Sequence, residues 1–561
     1  MRSTLSLLAR HFFGRLFDNE IVSQTGDMRT NAVQALGLAA SPGMLVAFFM
    51  LPQRLRFDQP FAHNWMLIGD CYFFVLYSML VMGFVMVLEW DALFPDRKDY
   101  LILTPLPLHG SAIFAGKMLS LVAFLALFVI DANLLDSALV PVIAGGPWLS
   151  AVLVAHAIAV VAGGAFVALA FAAFQGVLIN VLPGRVFRSI SPWLQMTAMG
   201  VACMMVFLTP LVLALLRPLV EQRSPIIHWL PPFWFLGLYL DLLPGQPAGP
   251  VFHELAREAR QALGIALALF AATYTIGYHR HARRIMESIE TAGEGPGRLR
   301  RAFTRAVNRW LLPHSLERAT FHFISNTILR TARHRLFLGA LAGVAAALAS
   351  LSAVQISIRA GGPTAWFRPA SLAAVALTFS FFTITGLRAA FNLPAELRAN
   401  WIFQICESEE HAAPIRAARK WILCMGLLPL FALLLPVEIA FQGWLAALVH
   451  LSFAALFGLV LLNLLLIWFR KIPFTCSYFP GKTSMALMLG VYIAGFTIYC
   501  WGLADLVEGS LSHPARLVEL YVTAILALRG LAWLERRERG ITDALIYEDE
   551  PDPIVRTLEL G

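Results

Sequence analysis

Runs of about 20 predominantly apolar residues decide what this chain can become, because a helix of that length is what the hydrocarbon core of a bilayer demands. Twelve such runs follow one another, near 32–51, 71–90, 118–140, 150–182, 191–217, 260–278, 336–357, 369–387, 421–441, 444–468, 484–506 and 516–533. The run at 150–182 exceeds a single crossing, so it is tilted or extends beyond the bilayer. Composition agrees. Of 561 residues, 58% are hydrophobic and 14% charged, whereas soluble domains run nearer a quarter charged. No stretch is long and polar enough for a soluble domain, so the expected fold class is an all-α polytopic membrane protein.

The net charge of +8 is compatible in principle with nucleic acid, but the arginines cluster at the ends of apolar runs, where they set membrane orientation. The expected partners therefore include membrane lipids and no nucleic acid. Six cysteines fall singly and show neither a zinc spacing nor a disulfide framework. The N-terminus has no signal-peptide cleavage pattern. Instead Leu5, Leu8, Phe12, Leu16 and Ile21 can share one side of a helix, with Arg2, Arg10 and Arg15 toward lipid headgroups.

Six runs precede an Arg-rich segment and six follow it. The expected organisation is a first six-span unit over 1–284, a cytoplasmic linker and amphipathic lead-in over 285–335, a second six-span unit over 336–533, and a cytoplasmic tail over 534–561. Arginine and lysine favour the inside along most of the chain, so both termini are expected in the cytoplasm of a multi-pass protein of the cell (inner) membrane. The halves share an order of elements rather than a sequence, which makes them a topological repeat.

Between the second and third runs of the first half lies Asp91–Lys117, too polar to cross. It holds a charged cluster (Asp96, Arg97, Lys98, Asp99), an apolar-proline segment (Leu101–Leu108, with Thr104, Pro105, Leu106 and Pro107), and Lys117 at the mouth of the next run. Leu387–Lys420 occupies the same slot in the second half, with Leu393-Pro394, an acidic cluster (Glu407, Glu409, Glu410) and Lys420. Outside, Trp229–Gly245 is aromatic and too short to cross, so it dips into or lies on the outer interface; its landmarks are Pro231, Pro232, Trp234 and Tyr239.

Catalytic constellations are scarce. Pro480-Gly481-Lys482-Thr483 looks like the end of a phosphate loop, but Cys476 stands where that motif needs glycine. Charges inside spans are costly and default to function. Asp131 lies nearest mid-run, while Asp136 and Glu438 read as interfacial groups reached by water, and His156 and His450 read as isolated. Neither a catalytic residue nor a cofactor or metal site is expected in this chain.

The segment Leu103–Leu121, LTPLPLHGSAIFAGKMLSL, with Leu101, Pro105, Leu106, Pro107, Gly116 and Lys117, resembles the membrane subunit of an ABC-2-type ABC exporter. The order of elements over Met1 to about Arg284 is similar too. The resemblance implies a fused pair of six-span units and a separate ABC-type ATPase that carries ATP and Mg. It further implies that the segments after each second span are coupling surfaces and that Trp229–Gly245 is a re-entrant element. The second half lacks that outer element. Two other classes fit the composition: an ion-coupled secondary transporter with two six-span halves, and an enzyme acting on lipid-linked substrates.

Overall fold

Helices form wherever hydropathy places a span, and they outrun the apolar stretch wherever polar residues find a partner. The computed structural model describes residues 2–17, 28–54, 65–93, 102–103, 105–144, 149–243, 249–290, 298–359, 362–367, 372–395, 400–405, 412–476, 485–511, 513–539 and 545. Among them, twelve helices are long and apolar enough to cross a membrane, and each overlaps one of the twelve runs. The chain divides into two units, Met1–Glu294 with Ile358–Thr364, and Gly295–Ser357 with Ala365–Gly561. Each contains six of the candidate spans.

The first unit comprises α1 (Arg2–Phe17), α2 (Met28–Arg54), α3 (Trp65–Leu88), α4 (Gly110–Ala144), α5 (Leu149–Val181), α6 (Gly184–Glu221), α7 (Pro231–Leu242) and α8 (Pro250–Glu290). Phe74, Phe233, Phe235 and Tyr239 form one buried cluster where α3, α5, α7 and α8 meet. A second cluster gathers Phe17, Met82, Phe124 and Phe128. Helix α7 has 12 residues, a length of about 18 Å against ~30 Å of hydrocarbon. It does not cross, and instead packs on α8, α5 and α3.

The second unit holds α9 (Arg298–Trp310), α10 (Ser315–Arg330), α11 (Ala332–Ala353), α12 (Leu372–Ala390), α13 (Asn400–Ile405), α14 (Ala413–Trp421) and α15 (Leu428–Gln442), while the strands β1 (Val354–Arg359) and β2 (Gly362–Phe367) are divided, Ile358–Thr364 grouping with the first unit. It continues with α16 (Trp444–Leu466), α17 (Met485–Phe496), α18 (Leu503–Leu511) and α19 (Pro514–Arg539). Single π-helical turns, Ile422–Leu427 and Thr497–Gly502, join α14 to α15 and α17 to α18. The Arg-rich lead-in falls within this unit as α9 and α10.

Neighbour relations repeat between the units. The lead-in helix packs on the third span (α1 on α4; α10 on α14), the second on the fourth (α3 on α5; α12 on α16), and the fourth on the sixth (α5 on α8; α16 on α19). The first span breaks the pattern. In the first unit α2 packs chiefly on α4, whereas in the second α11 packs along α12.

Three expectations change. The seventh apolar run, read as 336–357, stops as a helix at Ala353, and a two-stranded sheet follows it. Gln355-Ile356-Ser357-Ile358 and Thr364-Ala365-Trp366 flank a Gly-Gly pair, which is a hairpin composition. The buried acid of α4 is Asp136, which is fully enclosed, while Asp131 is partly exposed. Glu438 and His450 are neither water-reached nor isolated: both are buried, with His450 Nδ1 3.5 Å from Glu438 Oε2. Hydropathy locates a charge along a helix but not around it, and the face decides burial.

Candidate coupling site

The segment after each second span is fixed at both ends, and the chemistry of that fixing begins with orphaned carbonyls. The last carbonyls of a helix have no intrahelical partner and need another. At the end of α3, Gln195 Nε2 donates to the Val87 carbonyl (2.9 Å), Gln175 Nε2 to Trp90 (2.8 Å) and the Tyr274 hydroxyl to Leu93 (2.5 Å). Trp90 is itself buried and donates from Nε1 to Ser191 Oγ at 2.8 Å. Three other helices thus hold the point from which the Asp91–Lys117 stretch departs.

Its far end is held by α1. Leu8 and Phe12, on the predicted apolar side, are buried with Leu103 and lie against Leu108, Ala112 and Ile113. The approach needs glycine, because a Cβ at Gly116 would meet the Leu8 Cβ at 2.9 Å. Lys117 Nζ sits 5.7 Å from the centre of the Phe12 ring, a cation–π contact. Arg10 and Arg15 of α1 are exposed. Between these anchors Ile102, Pro105, Leu106 and Pro107 are exposed. Asp96, Arg97, Lys98, Asp99 and Thr104 lie outside the described residues, as does Ile21.

The second unit builds the same corner from different residues. Leu393 and Pro394 are half-buried, and His334 Nε2 donates to the Leu393 carbonyl at 2.9 Å. The loop after α16 adds two backbone bonds, Phe474 N–H to Phe391 O and Ala395 N–H to Phe474 O, each 3.0 Å. Asn400 is tied to the same loop through Nδ2 to Thr475 O at 2.7 Å. From there α13 presents Trp401, Ile402 and Ile405 to the exterior, Ile405 at 74% exposure. Glu407, Glu409 and Glu410 lie outside the described residues.

Where the first unit uses Lys117 on Phe12, the second uses an ionic lock. Glu317 on α10 is 1% exposed and accepts from Arg416 Nε (2.5 Å) and Lys420 Nζ (2.6 Å) on α14. Lys420 also donates to the Leu311 carbonyl at 3.0 Å. Burial alone would raise the Glu317 carboxyl, but the two cations outweigh it and hold the group below its ordinary value. Lys420 was legible as the counterpart of Lys117; Glu317, 103 positions away, carried no local signal.

The aromatic segment from Trp229 and the start of α8 form a stapled helical hairpin. Pro231 and Pro232 open α7 at positions where a missing N–H costs nothing. Trp234 Nε1 donates to the His228 carbonyl at 3.0 Å, and Tyr239 is buried with the His156 ring edge-on at 5.6 Å. Asp241 receives Arg260 Nη1 at 2.9 Å and pairs with His253, while His228 Nδ1 lies 2.8 Å from Glu258. Burial opposes ionisation of Asp241, yet hydrogen bonds from Arg260 and His253 keep its carboxyl low. These pairs explain why α8 begins ten residues before the apolar run does.

Among the described residues no group of three or more His, Cys, Asp and Glu side chains is placed to hold a metal ion. Both corners expose apolar side chains, Ile102 and Leu106 in one unit and Trp401, Ile402 and Ile405 in the other, and each stands beside an anchored lysine, Lys117 or Lys420. No family model, curated protein or solved structure matches this chain.

Proposed function

We propose that this protein is the membrane-spanning subunit of an ATP-driven exporter, with ATP hydrolysis supplied by separate ABC-type ATPase subunits. The observation that carries the reading is the repeated corner. In each unit the segment after the second span shows bulky apolar side chains, Ile102 and Leu106 or Trp401, Ile402 and Ile405, on a base pinned by buried hydrogen bonds. A connector that only joins two helices needs neither the exposure nor the pinning. In this reading Ile102–Leu108 and α13 enter grooves on the ATPases, and Asp96–Asp99 and Glu407–Glu410 make the polar contacts around them.

Force applied at such a corner reaches the third span through the lead-in helix, by Gly116 and Lys117 in one unit and by Glu317, Arg416 and Lys420 in the other. Closure of an ATPase pair on ATP would then bias the spans between inward- and outward-facing arrangements, provided that the contacts differ between the two states. The test is co-purification with a candidate ATPase. Replacing Asp96–Asp99 by Gly and Ser, or Trp401 by Asp, should lower retained ATPase turnover about tenfold, the effect of losing ~1.4 kcal/mol of docking free energy. Unchanged turnover in both variants would reject the reading.

A second reading, an ion-coupled carrier, draws on the enclosed Asp136 and on the buried Glu438–His450 pair, since intramembrane ionisable groups mark ion pathways. It predicts gradient-driven transport without any ATPase, abolished by Asp136→Asn.

A further inference from the structure

The lead-in of the second unit has one helix more than that of the first. By packing, α10 is the counterpart of α1, since each lies on the third span of its own unit. Helix α9 has no counterpart among the described residues of the first unit. Its 13 residues, RLRRAFTRAVNRW, include five arginines and no acid. A helix of that length is marginal in water by itself, so its stability rests on what covers it.

Its own unit covers one side only. Val307 and the following Leu311 pack against the cluster that holds Phe321, Ile324 and Trp421, and Asn308 Oδ1 lies 2.8 Å from His322 Nε2 on α10. The turn that ends α9 is tied down twice. Lys420 Nζ donates to the Leu311 carbonyl at 3.0 Å, and Arg318 Nη2 to the Leu312 carbonyl at 3.1 Å. Lys420 stands directly before the apolar run at 421–441, so these bonds hold the end of α9 at the level where a candidate span begins. None of the described side chains of α9 is fully buried.

Two exposed stripes remain. Arg301, Arg305 and Arg309 recur every fourth residue along one side. Among the described residues none of the three has a carboxylate partner; Arg305 Nε reaches only the Arg301 carbonyl, at 3.4 Å. About 100° round the helix, Ala302, Ala306 and Trp310 form the second stripe, with Trp310 82% exposed. A stripe of arginines solvated by water needs no exposed indole beside it. A row of guanidinium groups next to an apolar row that ends in Trp, at the mouth of a span, has the make-up of a helix lying in a membrane interface. Guanidinium pairs with phosphate, and indole sits at headgroup level.

We propose that α9 binds anionic phospholipid, with Arg301, Arg305 and Arg309 on the lipid phosphates and Ala302, Ala306 and Trp310 resting in the interface beside them. Zwitterionic lipid also carries phosphate, but it presents no net negative surface to three unpaired cations, so the contact selects anionic lipid. The surface belongs to this chain alone and stands whether or not an ATPase docks.

Ala306→Cys, labelled with acrylodan in a variant without the native cysteines, puts a reporter on the apolar stripe. The purified full chain is compared in nanodiscs of phosphatidylcholine alone and of equimolar phosphatidylcholine and phosphatidylglycerol, with no ATPase present. Acrylamide quenching of the label is expected to fall roughly threefold in the mixed lipid and to recover in high salt. Replacing Arg301, Arg305 and Arg309 together by Gln should abolish that difference, and replacing them by Lys should keep it. Equal quenching in the two lipids, or a difference that survives the Gln variant, would overturn the proposal. Loss of the difference in the Lys variant as well would mark an effect on folding and overturn it too. Protection gained only when a candidate ATPase is added would assign the stripe to a protein instead. Because no partner is present, failure here leaves the docking reading untouched, and failure to retain an ATPase leaves this one untouched.

Discussion

Glu317 shows what one residue does when its burial and its partners oppose each other. Desolvation penalises its charge, and two cations within hydrogen-bond distance more than restore it. Removing the carboxylate deprives Arg416 and Lys420 of the acceptor they share, although Lys420 keeps the Leu311 carbonyl. Both are about one-third exposed and so partly solvated, which limits the expected destabilisation of Glu317→Ala to about 2–3 kcal/mol. Thermal unfolding of the purified protein measures it. The pH dependence follows from the depressed carboxyl. Its contribution is complete above the ordinary carboxylate value of 4.5 and fades as pH falls through the lower folded-state value. A stability profile from pH 7 to pH 3 should therefore fall at its acid end for the wild type and fall less for Glu317→Ala.

At the scale of elements, the ends of helices matter more than their middles. The end of α3 depends on Gln175 and Gln195, buried amides on α5 and α6 that serve its last carbonyls. Either Gln→Ala change should leave a buried carbonyl unserved at a cost of about 1–3 kcal/mol, seen as faster amide exchange over residues 85–93 with α4 unaffected. Such contacts also explain what could be read from the chain beforehand. The spans were legible because ~20 apolar residues in sequence have few alternatives, and α1 because Leu8, Phe12 and Leu16 repeat at helical spacing. The corners after each second span were legible as segments too polar to cross. Their pinning was not, because Gln195, His334 and Glu317 lie on other helices and no local pattern marks a carbonyl they will serve. The sheet over Val354–Phe367 had its signal in the Gly-Gly flanks, and the neighbouring apolar run masked it.

For the molecule as a whole, orientation rests on arginine placement, and it can be checked on intact cells. In a variant without the native cysteines, a cysteine at Arg223 should react with an impermeant maleimide from outside, and one at Arg305 should react only after permeabilisation. The opposite pattern would invert the topology expected from the arginines and reject the docking reading. The unequal packing of the two first spans carries a further consequence, in the tolerance of each seam to substitution. A Cβ at Gly386, on α12, would meet Leu341 of α11 at 2.8 Å, so small-to-large changes along that seam should cost about 1–3 kcal/mol each. Gly37 on α2 has open space around it, and the same change there has nothing to displace. A saturation scan scored on surface expression should therefore find α11 intolerant of bulk and α2 permissive everywhere but at Gly43, where a Cβ would meet the Tyr77 ring at 2.5 Å. Two helices of equal rank in the repeat would then accumulate sequence change at different rates, the one as a sealed wall and the other as a door-post.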